Sequence, residues 1–199
     1  MPIRAALLLS LAVVLTPTAT GTRPLCRLDN LLYCDSVNSL FYDARFKLAL
    51  RSFLHGAPGG MWARGKLATA FDLVEEFMGG PPDERVREPD GLFVLGACRP
   101  HECDDKGVLV LAPDGKILAA ALLIPGCYAS ATDTMCATRV LRLYVHDPAV
   151  ARRLIPALRA TAGTVARPDK EQVFVADGRG WQPLQVPAAG KGTAWPIWQ

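Results

Sequence analysis

Six cysteines fall into three close pairs, Cys26/Cys34, Cys98/Cys103 and Cys127/Cys136, all outside the first 25 residues. An even set at short spacing reads as disulfides in an oxidising compartment, and as metal ligands or catalytic thiols in a reducing one. The amino end decides between them. Arg4 gives a short basic start, Ala5–Leu15 an eleven-residue apolar run, and Ala19 and Gly21 put small residues where a signal peptidase reads. That is the pattern of a secretory leader cleaved near Gly21. The apolar run is too short to span a bilayer, and no later run is both long and unbroken enough. Cys26 follows Pro24-Leu25 rather than the small residue of a lipoprotein signal. The chain therefore reads as exported and free of the membrane after cleavage. Nearest-neighbour bridging is the simplest connectivity, and spacing alone leaves the others open.

The remainder is long enough to bury one core. Losing Arg4 with the leader takes the formal net charge from +3 to +2. Basic residues are scattered and not interleaved with aromatics, which argues against a nucleic-acid surface. Beyond a stapled turn at Cys26–Cys34, Ser36 or Ser39 is expected to cap a helix running to about Leu54. Its apolar stripe is Val37, Leu40, Phe41, Ala44 and Leu48, and Gly56 is the stop. Trp62, in the following loop, is expected in the core. Leu67, Ala70, Phe71, Val74 and Phe77 predict a second helix over Lys66–Met78. The polar stretch 79–90 reads as an exposed, partly mobile connector.

Two strand-like runs, Gly91–Ala97 and Gly107–Ala112, flank Cys98–Cys103, and Pro113-Asp114-Gly115 turns the second into a strand over Lys116–Ile124. A polar loop closed by Cys127 and Cys136 follows. After it come a strand at Thr138–Val145, a helix at Pro148–Ala162 opened by Asp147, a short strand at Gln172–Ala176 and a tail without periodicity. The expected class is α+β, a mostly antiparallel sheet with helices on one side and a disulfide-closed protruding hairpin loop. The expected organisation is a leader at 1–21, one domain at 22–163 and a C-terminal extension at 164–199.

Between Cys98 and Cys103 stand Arg99, Pro100, His101 and Glu102. Pro100 fixes its own φ and biases Arg99 toward extended backbone, so the loop has few shapes. Four readings compete. A bridge that merely ties a hairpin leaves His101 an ordinary surface residue. Thiol–disulfide exchange would want a closer spacing and a helix after the thiols to lower a pKa, whereas a strand follows here. A metal site of Cys98, His101 and Cys103 lacks a fourth ligand, with His55 and His146 isolated. Insertion into a glycosidase cleft is the fourth, and on these residues alone it does not displace the first. Such a cleft holds one protonated and one ionised carboxyl group, and a neutral imidazole donates one hydrogen bond and accepts another. A stapled loop also has little conformational entropy left to lose on binding. No G-x-S-x-G or phosphate-cradling motif occurs, so neither an enzyme nor a cofactor is expected.

The six residues Cys98-Arg99-Pro100-His101-Glu102-Cys103 resemble the CKPHDC loop of the inhibitors of vertebrate (c-type) lysozyme, the Ivy family. Arg99 stands for Lys and Glu102 for Asp, with charge sign kept. Met61-Trp62 upstream and VLVLAPDGKILAAAL downstream are similar as well, so the resemblance runs from about Trp62 to Leu123. It implies a periplasmic or secreted inhibitor that inserts His101 between the catalytic carboxyl groups of a lysozyme-type muramidase. Arg99 and Glu102 would orient the loop or meet the cleft rim. Segments 26–34, 79–90, 127–136 and the tail beyond Gly163 are additional to the family pattern. C-type lysozymes are strongly basic, and a nearly neutral chain gains little electrostatic steering toward them. An endogenous lytic transglycosylase, whose site also uses a carboxyl group, is the alternative target. Pairing as a homodimer stays open.

Overall fold

A computed structural model describes residues 26–61, 67–84, 86–87, 90–129, 136–163, 168–177 and 179–184; the expected leader and Trp62 lie outside them. The stapled turn Cys26–Cys34 (Cα–Cα 4.4 Å) leads into α1 (Val37–Leu40) and α2 (Ala44–Phe53). The sequence predicts one helix across both. Asp43 divides them: its carboxylate accepts from the Arg45 N–H, capping α2, and from the Leu28 N–H, tying the turn to the helix start. The pair β1 (Gly60–Met61) and β2 (Leu67–Ala68) follows. Helix α3 (Ala70–Phe77) starts later than its periodicity predicts, at a capping box. There the Asp72 N–H donates to Thr69 Oγ1 (3.1 Å), and the Thr69 N–H donates to the Asp72 carboxylate (3.0 Å).

Next come β3 (Val86–Arg87), β4 (Phe93–Arg99), β5 (Glu102–Leu111), β6 (Ile117–Pro125), the single turn α4 (Gly126–Ala129) and β7 (Arg139–Val145). Helix α5 (Pro148–Ala162), capped by Asp147 as predicted, leads to β8 (Lys170–Asp177) and β9 (Gly180–Leu184). The seven strands β3 to β9 lie side by side in chain order. All neighbours are antiparallel except β7 and β8, for which α5 is the crossover that a parallel pair requires.

The α+β class and the mostly antiparallel sheet are as the sequence predicts; the helices cover both faces instead of one. Phe93, Leu95, Leu109, Leu111, Leu122 and Tyr144 face the α1–α3 layer. Their neighbours Val94, Val108, Val110, Leu123 and Leu143 face Leu154, Ile155 and Leu158 of α5. Strands that are apolar on both faces read as continuous hydrophobic runs and must be covered twice.

Two stretches join the sheet that the sequence sets apart from it. Strands β8 and β9 fall within the expected extension beyond residue 163 and complete the sheet. Pro183 masks β9 in the sequence, and it is tolerated because β9 is an edge. Trp181 anchors that edge, its indole N–H donating to the His55 carbonyl (2.9 Å) and its ring packing on Phe53, Tyr144 and His146. The described part of the connector, expected to be partly mobile, lies along β4. The Gly80 N–H donates to the Cys98 carbonyl, Cys98 N–H to Pro81 and Asp83 N–H to Gly96, each at 2.9 Å. Among the described residues, no helix is long and apolar enough to cross a membrane.

Candidate functional site: the Cys98–Cys103 hairpin tip

Strands β4 and β5 meet at their far end around a two-residue turn. Arg99 pairs with Glu102, leaving Pro100 and His101 as the tip. Pro100 presets its own φ and His101 has φ 67°, the proline-then-positive-φ order of a type II turn. That conformation is costly for an L residue other than glycine or asparagine. Pro100, His101, Glu102, Cys103 and Asp104 are all exposed, and Cys98 is buried. Cys98 and Cys103 are bridged, with Cα atoms 4.7 Å apart. Their sulfurs are joined to each other and so unavailable as thiolate ligands.

Below the tip the ladder slips. Cys98 pairs with Lys106 while Arg99 pairs with Glu102, so Cys103, Asp104 and Asp105 form a three-residue bulge in β5. Arg99 fills the space under it. Its Nε donates to Glu76 Oε1 (3.1 Å) and its Nη1 to Glu102 Oε2 (2.6 Å), with Asp105 Oδ2 at 3.4 Å. The guanidinium also lies over the rings of Phe77 (5.3 Å) and Tyr128 (5.1 Å). The Arg99 side chain is thus a strut under the loop, held back against α3 and α4. Glu102 is the exposed end of the same pair.

Asp105 is the other half of the base. Its side chain is fully buried and is contacted by Arg99 and by Arg139 at the start of β7. Burial pushes its carboxyl up to about 6; Arg139 pulls the other way, the Glu102 charge adds to the rise, and Arg99 also opposes it. On the opposite face the buried Lys106 ammonium lies 2.6 Å from Asp83, which the connector carries over Gly96. Gly80 backs the tip: a Cβ there would stand 2.7 Å from the Cys98 carbonyl oxygen and 2.8 Å from the Pro100 nitrogen.

Asp72, Glu75 and Glu76 with Gly79 and Pro100 line a shallow recess of about 210 Å³ beside the tip. With Glu102, Asp104 and Asp105 they outnumber the nearby cations Lys47, Arg99 and Arg139. The neighbourhood of the tip is therefore locally acidic on a nearly neutral chain. The sequence reading names Cys98, Arg99, Pro100, His101, Glu102 and Cys103, and the fold gathers all six. It misses Glu76, Asp105 and Arg139. No local pattern marks them, because the contacts span 23, 6 and 34 residues. The bridges Cys26–Cys34 and Cys127–Cys136 (Cα–Cα 4.7 Å) form as nearest-neighbour pairing expects. His146 is structural, stacked on Phe53 with its Nε2 2.6 Å from the Phe53 carbonyl oxygen.

Compared with protein-family models, curated proteins and solved structures, the chain gives no match to any of them.

Proposed function

We propose that this protein is an exported inhibitor of lysozyme-type muramidases that plugs the catalytic cleft with the Cys98–Cys103 hairpin tip. One observation carries the reading. An exposed imidazole sits at positive φ on a two-residue turn whose base is fixed by a disulfide and by the Arg99 strut. A strained, solvent-facing histidine contributes nothing to the core, and strain of this kind is retained where a site needs a fixed geometry. Neutral His101 can donate to the ionised carboxylate of such a cleft and accept from the protonated acid. Pro100 and Glu102 would meet the cleft walls, and rigidity limits the ordering lost on binding.

The acidic surroundings of the tip favour a target with a basic cleft rim, since complementary fields speed encounter and fix orientation. That leans toward the strongly basic c-type lysozymes as targets, with an endogenous lytic transglycosylase as the alternative. Three disulfides agree with action outside the cytoplasm. The test is lysis of a cell-wall suspension by a panel of muramidases and lytic transglycosylases with the protein added. Near-stoichiometric slowing of at least one supports the proposal. No effect on any of them, or catalytic reshuffling of a test disulfide instead, contradicts it.

A further inference from the structure

We infer that Asp105 is a proton-operated clamp on the hairpin: taking up a proton in mild acid tightens the tip, and losing it loosens the tip. The consequence for binding rests on the function proposed above; the clamp itself does not. The geometry begins with the bulge. Cys103, Asp104 and Asp105 have no partners in the β4–β5 ladder, so side chains determine how firmly this arm of the hairpin is held. Cys103 is tied to β4 by its bridge to Cys98, Asp104 is exposed, and Asp105 is the buried one of the three. It faces Arg99 from β4, Arg139 from β7, and Glu102 and Asp104 from its own strand. Through Arg99 it joins Glu76 of α3 and Tyr128 of α4.

Arg99 and Arg139 favour the ionised form of Asp105. Burial and the nearby Glu102 charge outweigh them, and its carboxyl is pushed up to about 6. The sign of the coupling follows. In an opened bulge the carboxyl would be hydrated and would titrate as an ordinary aspartate, near ~4. The closed form therefore holds the proton more tightly than the open one, and linkage makes acid favour closure. Above the closed-form midpoint, part of the burial penalty is relieved by opening. Glu76 and Glu102 keep Arg99 in place across this range, so the change is confined to the arm 103–105.

Hydrogen exchange on the whole protein tests this without any partner. Protection factors for Cys103–Lys106, with Gly80, whose N–H is bonded to Cys98, as the reference outside the arm, are measured from pH 7.5 to 4. The expected result in the arm is a rise of up to about a hundredfold, the ratio set by roughly two pH units of difference in proton affinity, beginning near pH 6 and approaching its limit near pH 4. Asp105→Asn is expected to be protected and flat across the range, and His101→Asn to keep the rise. A rise that survives in Asp105→Asn, or vanishes in His101→Asn, overturns the inference, as does protection that falls in acid. If Asp105→Asn does not fold, carbon-13 titration of the wild-type carboxyl decides: a midpoint well above 5 supports the clamp, one below about 4.5 overturns it. A protein that shows this profile yet inhibits no muramidase retains the clamp and loses the proposed function.

Discussion

Replacing His101 by glycine should make the protein more stable and a worse inhibitor. His101 holds φ 67° at an exposed tip, and its ring makes no hydrogen bond, ion pair or aromatic contact among the described residues. Left-handed backbone costs an L residue about 1–2 kcal/mol, and glycine is free of that penalty. Glycine also has more backbone entropy to lose on folding, a counter-term of roughly 0.5–1 kcal/mol. The difference leaves about 0.5–1 kcal/mol of net stabilisation. For a domain of this size that is a rise in Tm of roughly 2–4 °C per kcal/mol. Binding should move the other way. A side chain centred in a desolvated cleft behaves as a hot spot worth about 2 kcal/mol or more, a loss of about thirtyfold in affinity. Thermal unfolding and inhibitor titration on the same preparations read both quantities, with His101→Asn as the variant that accepts left-handed backbone but lacks the imidazole. A glycine variant that melts several degrees lower, or that inhibits as well as wild type, refutes the reasoning.

Three further outcomes are expected. The Cys98→Ser/Cys103→Ser double variant should keep its core, lose roughly 2 kcal/mol of stability as expected for closing so short a loop, and inhibit at least tenfold less well; full inhibition would show that the staple is not needed. Gly80→Ala drives a Cβ into the Cys98 and Pro100 backbone, so it should destabilise by about 1–3 kcal/mol and weaken inhibition, as chemical denaturation and the lysis assay would report. Because burial raises the Asp105 carboxyl to about 6, the folded state holds that proton more tightly than the unfolded chain does. Its stabilising contribution is therefore present below about pH 4 and lost as pH rises to about 6. Asp105→Asn should remove a stability decrease of at most about 3 kcal/mol between those values; parallel pH–stability curves for the two proteins would contradict this.

The parts of the fold that read correctly from sequence are those whose signal is local. Asp147-Pro148 announces α5 because a cap and a first-turn proline act within one turn. Strands β4 to β6 read as apolar runs bounded by loops, and the hairpin turn carries Gly115 at φ 85°. Misreadings arise where a distant contact overrides the local pattern. The stripe Val37–Leu48 is continuous, yet Asp43 breaks the helix because Leu28, fifteen residues earlier, shares its carboxylate. The polar, proline-rich connector becomes an edge alongside β4 because Cys98 and Gly96 offer it backbone partners. At the site the same division holds. The tip is a contiguous motif and is legible, whereas Arg99 as a strut and Asp105 as a buried acid depend on Glu76 and Arg139, which only the folded chain brings near.

Nuclear magnetic resonance of the three imidazoles tests the central claim most directly. Carbon and nitrogen shifts of His55, His101 and His146 are followed as an inhibited muramidase is added. The account predicts that the His101 ring signals move strongly and that their pH titration is displaced, while His146, stacked on Phe53, stays where it was. Complex formation that leaves His101 unchanged would contradict it.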